Sequence, residues 1–316
     1  MYMKKVVVFG GGTGLSCLLD GLKLFPIDVT AVISVSDNGS SAGQLKKELD
    51  IPAVGDVGQV LVHMANVDED FKRLLGYRFK ESFLENHPIK NILLAALIDI
   101  KGNLTDATKY MCELLNIKGT ILPLSEDKVE LVGEGIRGQK YLGEESVSQN
   151  IKRIKKLKYD HDITVGAEVI DEIKEADLII FSSGSLYTSI LPHLIAPEVN
   201  DILGKCKAPI MYISNLVTQP GETDGYSVSD HLKVLNKYLK SRCVDVVISN
   251  DAKIDKRIIK KYSLEHKELV KLDTKNVEKT GARVISDKIY SIEDGSIRHD
   301  ALKTAFLIFS YLMEGE

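Results

Sequence analysis

Two rhythms alternate along the chain. Val6-Val7-Val8-Phe9 is an unbroken apolar run that passes straight into Gly10-Gly11-Gly12-Thr13-Gly14. Beyond the glycines, Leu15, Leu18, Leu19 and Leu22 repeat at the i, i+3, i+4, i+7 spacing of one helix face. The pair of patterns then recurs. A β-branched run over 28–35 predicts a second buried strand, and runs at 177–181, 209–213 and 244–248 predict three more. Helical patterns lie between them. One runs through Leu61 and Ala65, and one at 92–98 reads as apolar on every side, like a helix sunk in a core. A third, capped by Thr105, carries Ala107, Met111, Leu114 and Leu115, and a fourth ends over 171–176. The last, capped by Asp300, is built on Leu302, Ala305, Phe306, Phe309 and Leu312. Strands alternating with helices predict an α/β fold with a doubly wound, mostly parallel sheet.

The rhythm breaks between Lys118 and about Tyr159. Short strand-like pieces and glycines (Gly133, Gly135, Gly138, Gly143) lead into Lys152-Arg153-Ile154-Lys155-Lys156-Leu157-Lys158. We read 118–159 as a β-rich subregion inserted in a single domain that spans 1–316. The basic run reads as a solvated face or edge-strand protection, with an anion site as the alternative.

A strand, a glycine turn and a helix aim the helix N-terminus, with its free N–H groups, at an anion. Glycines let a phosphate approach those groups where a Cβ would block it. Two better-known loops do not fit. A dinucleotide fingerprint starting at Gly10 needs glycine where Leu15 stands, and the Walker pattern needs a Gly-Lys-Ser/Thr that is absent. A plain tight turn is the competing reading of Gly10, Gly11, Gly12, Thr13 and Gly14.

Ligands of open α/β sheets sit beyond the carboxyl ends of the strands. Here those ends are small and polar: Asp37-Asn38-Gly39-Ser40-Ser41, then Ser182-Ser183-Gly184-Ser185-Leu186-Tyr187-Thr188-Ser189, then Asn215 through Thr218, Gln219, Glu222 and Thr223, then Ser249-Asn250-Asp251. They suit a phosphorylated, polyhydroxylic ligand such as a nucleotide or sugar nucleotide. Asp37 and Asp56 are candidates to hold Mg²⁺ beside a diphosphate, with turn or cap aspartates as the alternative. His87, just before Asn91, reads equally as a ligand contact or as a structural histidine. No catalytic residue is assigned: H-E-x-x-H, a cysteine–histidine cluster and G-x-S-x-G are all missing.

Bulk properties narrow the field. A net charge of −4 and pI ≈ 6.0 give no field to gather nucleic acid. With 44% hydrophobic and 27% charged residues the chain is of globular rather than disordered composition. Cys17, Cys112, Cys206 and Cys243 form no C-x-x-C, as expected of a reducing cytoplasm. The glycines cut the first apolar run short of a signal peptide or membrane span, so a cytoplasmic location is expected.

Together these motifs resemble the YvcK branch of the CofD-like family, bacterial gluconeogenesis factors related to 2-phospho-L-lactate transferases. The resemblance runs from about Lys5 to the last helix. It rests most specifically on Ser185-Leu186-Tyr187-Thr188-Ser189 and Thr218-Gln219-Pro220-Gly221-Glu222-Thr223. Tyr77-Arg78-Phe79, His87 with Asn91, Gly143-Glu144 and Arg298-His299-Asp300 add to it. The chain departs from the family where Asn38, Ser40, Ala42, Val54, Gly58, Gln59, Lys90, Ser182 and Ser183 stand. Gly58 replaces an arginine, a bidentate phosphate fork, and Lys90 offers a point charge in partial compensation.

The resemblance implies a modified Rossmann-like core that binds a UDP-sugar, with Tyr262 and Arg298 as the uridine-nucleotide contacts. It implies a regulator of carbon flux and cell-wall or cell-shape maintenance without turnover, having protein partners or a homo-oligomeric state. Two alternatives stay open. One is a Mg²⁺-dependent transferase of phosphoryl or phospholactyl groups. The other is an NAD-binding oxidoreductase, suggested by Asp37 lying 25 residues after Gly12.

Overall fold

A computed structural model describes residues 3–314 except Phe83 and Ile136, with Ser40 and Arg153 described in their backbone only. The central sheet is built from β1 (Lys4–Gly10), β2 (Ile27–Ile33), β3 (Thr120–Pro123), β7 (Leu178–Phe181), β8 (Ile210–Ile213), β9 (Val246–Asn250) and β10 (Arg283–Asp287). A second sheet joins β4 (Leu131–Gly135), β5 (Lys140–Leu142) and β6 (Ile154–Tyr159), and a hairpin joins β11 (Tyr290–Glu293) to β12 (Ser296–His299). The central order is β10-β9-β8-β7-β1-β2-β3, and all of its pairings are parallel. Helices cover both faces, which is why the strands carry unbroken apolar runs: Val6 to Phe9 and Leu178 to Phe181 are all buried.

From β1 the chain winds outward through β2 and β3 on one side and, later, through β8, β9 and β10 on the other. The direction reverses between β1 and β7, and the loops after these two strands must part there, leaving a crevice. Helix Gly12–Leu22 leaves the crevice and packs against helix Ala301–Met313 at close range. The approach depends on Gly21, because a Cβ there would overlap the Ala301 carbonyl. Gly21→Ala is expected to lose about 2–3 kcal/mol, the usual penalty of overpacking, as a lower urea midpoint at unchanged slope.

Several local expectations are corrected. The helix Ile89–Lys101 is not apolar-buried all round: Leu94, Ala95 and Ile98 face the core while Leu93 and Ile100 are exposed. Asn103, not Thr105, caps the next helix, its side chain accepting from Asp106 N–H at 2.7 Å. Residues 40–43 belong to helix Ser40–Leu49 rather than to a loop. The inserted region is narrower than 118–159, since β3 within it is an edge strand of the central sheet. On the final helix Leu302 and Phe306 are exposed, and Ala305, Ile308 and Leu312 make the contact. Among the described residues no helix is long and apolar enough to cross a membrane.

Candidate functional site

The crevice is a cleft of about 480 Å³, lined by Gly11, Gly12, Thr13 and Gly14 from the first loop and by Ser183, Gly184, Ser185 and Ser189 from the loop after β7. Asn215, Thr218 and Gln219 close it from the loop after β8, and Lys267 and Arg298 bring the cations. The glycines earn their positions in different ways. A Cβ at Gly10 would strike Ser182 Oγ, one at Gly14 the Ser183 carbonyl, and one at Gly11 the Asp56 carboxylate. Gly12 has φ +60°, the left-handed conformation natural to glycine. The first helix therefore starts pressed against the loop after β7.

Asp56 accepts the Gly12 N–H. The helix N-terminus thus already faces an anion, the chain's own carboxylate, and a phosphate would have to share it. Thr13 is likewise engaged, its hydroxyl taking a 3.1 Å bond from Gln59 Nε2.

The wall after β7 is a short π-helical turn, Leu186–Ile190, shaped by a buried acid. Glu222 Oε1 accepts from Ser185 Oγ at 2.6 Å and from Tyr187 N–H at 2.8 Å, and the Leu186 N–H also reaches the carboxylate. Ser185 Oγ in turn accepts from the Thr188 N–H and hydroxyl. Asn215 grips Gly184 from both sides, donating to its carbonyl at 2.7 Å and accepting its N–H at 3.3 Å. Thr218 exchanges backbone and side-chain bonds with Glu268, and Thr223 Oγ1 accepts the Gln219 N–H. Ser185, Glu222, Thr218 and Thr223 thus hold the cleft in shape, and Glu222 and Thr223 are not on its lining.

Beside the cleft lies an acidic compartment. Burial and the neighbouring Asp37 push Asp56 up to about 7. Burial and the charges of Asp37 and Asp56 push Glu144 well above the carboxylate range, and Glu144 hydrogen-bonds both Asp37 and Thr188. Opposite them, burial and then Arg78 bring Lys90 down to about 8, while Asp56 and Asp37 favour its charge. This ammonium stands where the arginine missing at Gly58 was expected to be compensated. Among the described residues no three His, Cys, Asp or Glu side chains are grouped to hold a metal ion. Asp37 and Asp56, close and mutually repelling, nonetheless suit a hard cation that keeps most of its waters.

Other expected site residues serve the scaffold. Ser41, His87 and Asn91 form a buried chain: Asn91 Nδ2 donates to Ser41 Oγ at 3.0 Å, and Ser41 Oγ lies 3.1 Å from His87 Nδ1. Asn38 accepts the Glu144 N–H and reaches Glu130, tying the inserted sheet to the loop after β2. The side chain of Ser40 lies outside the described residues. Leu186 is buried and faces the core. Tyr262 departs from its expected role: it is buried, its hydroxyl accepts the Ile297 N–H at 2.8 Å, and its ring is off the cleft lining. It supports the strand that carries Arg298, which is itself exposed in the cleft.

Four cleft residues are not among the expected ligand contacts: Cys17 and Lys267, which no motif marks, and Ser189 and His299, which stand inside motifs that carry the resemblance. His299 Nε2 donates to the Ser214 carbonyl at 3.0 Å, leaving Nδ1 to accept from Ser183 Oγ at 3.3 Å. Burial lowers this imidazole to about 4, and a neutral carbonyl orients it, so it is a poor base near neutral pH. Cys17, raised by burial to about 11, stays a thiol and donates to the His299 carbonyl.

A parallel doubly wound sheet with a hydroxyl-rich cleft and two cations at its switch point defines an α/β protein of the Rossmann-like class. The profile of 2-phospho-L-lactate transferase CofD matches residues 6–290, and the chain belongs to the CofD family. It is 39% identical to the gluconeogenesis factor of Bacillus subtilis strain 168 over 312 residues, covering 98% of each chain. It is also 39% identical to the gluconeogenesis factor of Halalkalibacterium halodurans, over 96% of this chain and 95% of that one. A crystal structure of a Bacillus halodurans protein superposes with TM-score 0.93 at 38% identity, covering 98% of this chain and all of the other.

Proposed function

We propose that the cleft binds a UDP-sugar and that the protein acts as a ligand-responsive gluconeogenesis factor rather than as a catalyst. One observation carries this reading: Arg298 and Lys267 stand at a cleft otherwise lined mainly by glycines, serine and threonine hydroxyls, the amides of Asn215 and Gln219, and the apolar Leu216, Val217 and Ile297, with no carboxylate among the described residues of its walls. Such a set neutralises a diphosphate and hydrogen-bonds a sugar without supplying a strong base. Bacterial relatives named as gluconeogenesis factors, similar over nearly their whole length, point to the same physiological setting. A role in cell-wall or cell-shape maintenance on gluconeogenic carbon follows as the cellular expectation, in the cytoplasm where UDP-sugars are made.

Calorimetric titration with UDP-N-acetylglucosamine, UDP-glucose and NAD, with and without Mg²⁺, tests the reading. Saturable binding of a UDP-sugar, weakened by about tenfold or more in Arg298→Ala, is expected for loss of a charge-assisted bidentate contact. Heat from NAD alone would replace the reading with a dinucleotide site.

A second reading is favoured by the acidic compartment. Asp37 and Asp56 would hold Mg²⁺, which would supply charge neutralisation at a transferred phosphoryl or phospholactyl group. Their protein neighbours would do the rest: Lys90 balances the carboxylates and the glycine turn orients the leaving phosphate. Product formation with a flavin-like acceptor, lost in Asp37→Asn, would move the protein to this class.

A further inference from the structure

Away from the cleft, a second and larger groove of about 610 Å³ runs along the free edge of β6. Its floor is apolar: Leu157, Tyr159, Ile163 and Leu194 are buried, with Ile195 and the Tyr238 ring beside them. Its rim is cationic. Lys155, Lys156, Lys158, Lys237 and Lys240 line it against one carboxylate, Asp162, in a chain of net charge −4. Lys158 pairs with Glu134 at 2.6 Å. Lys156 stands opposite Glu134 across the β4–β6 pair and shares its charge, whereas among the described residues Lys155, Lys237 and Lys240 form no ion pair with a carboxylate.

The basic run read from the sequence as edge protection does lie on an edge strand, with β4 on one side only. Among the described residues no strand covers the other side. Single side chains meet it: the Tyr238 hydroxyl accepts the Leu157 N–H at 3.1 Å, and Lys237 Nζ reaches the Lys155 carbonyl at 3.5 Å. Edge protection by charge needs one lysine facing outward, not three without a carboxylate partner gathered around an apolar trough. At the end of helix Val228–Leu239 the backbone holds Lys240 at φ +57°, ψ −85°, where glycine would rest without strain. A lysine is kept there at a conformational cost, and it stands on the rim.

We propose that this groove is a docking surface for an extended acidic segment of a partner protein, with apolar side chains seated on the floor and carboxylates against the lysines. Charge complementarity selects the occupant, because an apolar trough alone would not distinguish an acidic segment from a neutral one. An open groove between an edge strand and two helices fits a chain lying lengthwise better than a lipid surface, which needs a projecting apolar face. The groove adjoins the cleft through one short helix: Tyr159 donates to the Pro192 carbonyl in helix Leu191–Ile195, which directly follows the Leu186–Ile190 turn. The inference is independent of what the cleft binds.

The test is fluorescence anisotropy of a labelled peptide alternating glutamate and leucine, titrated with the full chain in the absence of nucleotide. Saturable binding is expected, weakening steeply with salt. It should fall by about tenfold or more in the Lys155→Glu/Lys240→Glu double variant and also in Ile195→Gln. A peptide of alternating lysine and leucine should not bind. Circular dichroism and an unaltered urea midpoint check that the variants remain folded. No binding of the acidic peptide, or equal binding by the charge-reversed variant, overturns the proposal. So does lysine-dependent binding to phosphatidylglycerol vesicles without binding to the peptide, which would assign the surface to a membrane instead.

Discussion

Asp56→Asn is expected to make the protein more stable at pH 8 while leaving its stability near pH 4 unchanged. In the folded chain Asp56 titrates at about 7 rather than at its ordinary 3.8, because burial and the Asp37 charge disfavour its ionised form. Between those pH values the folded state holds a proton that the unfolded state has released. Stability is therefore lost as pH rises through the window, and the full penalty is present above about 7. Asparagine cannot ionise, so its advantage should grow from nothing at pH 4 to a plateau near pH 8. A shift of this size corresponds to about 4 kcal/mol at most, and partial solvent access reduces the expectation to about 2 kcal/mol. His193 and His299, each lowered to about 4 by burial, act in the opposite sense. Their contribution is present above about 6.5 and is lost as pH falls through 4. They are common to both proteins and cancel in the difference. Urea unfolding of the two proteins across this range, with chelator present, reads the effect. A gap of the same size at pH 5 and pH 8 would refute the assignment. Stabilisation accompanied by lost ligand or Mg²⁺ response would mark Asp56 as held at a stability cost for function.

Where the sequence was legible, one element decided its own structure. The strand, glycine turn and helix at β1 could be read because period 2 and period 3.6 meet at the glycines, and nothing distant was needed. The switch point was accessible for the same reason, since loops after parallel strands converge by topology. What was hidden depends on pairs far apart in sequence. Ser41, His87 and Asn91 are polar residues that the fold joins into one buried chain, and nothing local distinguishes them from ligand contacts. Tyr262, a uridine contact only by the resemblance, is buried with its hydroxyl used by Ile297. β10 escaped notice because an edge strand with mostly partial exposure lacks an apolar run. At 92–98 the apolar run hid an amphipathic helix, since Leu93 and Ile100 are apolar but exposed. Around Gly58, Asn91 Oδ1 is buried with no hydrogen-bond partner among the described residues, and the Lys90 stem lies alongside.

The largest effect on the cleft itself is expected from a residue that does not line it. Glu222→Ala removes the acceptor of the Ser185 hydroxyl and of the Tyr187 and Leu186 N–H groups, leaving three donors in a buried turn without a partner. Each unpaired buried donor costs about 1–3 kcal/mol, and local relaxation recovers part of that. A net loss of about 3 kcal/mol is expected in urea unfolding. Because Gly184, Ser185 and Ser189 reach the cleft from this turn, UDP-sugar affinity should fall by about tenfold or more at temperatures where the variant is still folded. Glu222→Gln separates geometry from charge. Its amide oxygen can keep the Oε1 bonds, and burial already raises the acid, so a neutral side chain is well tolerated. The glutamine variant should stay within about 1 kcal/mol of the wild type and bind nearly as well. Calorimetry and unfolding on the same three proteins give the answer. An alanine variant with wild-type affinity would show that the turn holds its shape without Glu222. A glutamine variant as impaired as alanine would show instead that the buried negative charge, not the hydrogen-bond acceptor, organises the wall.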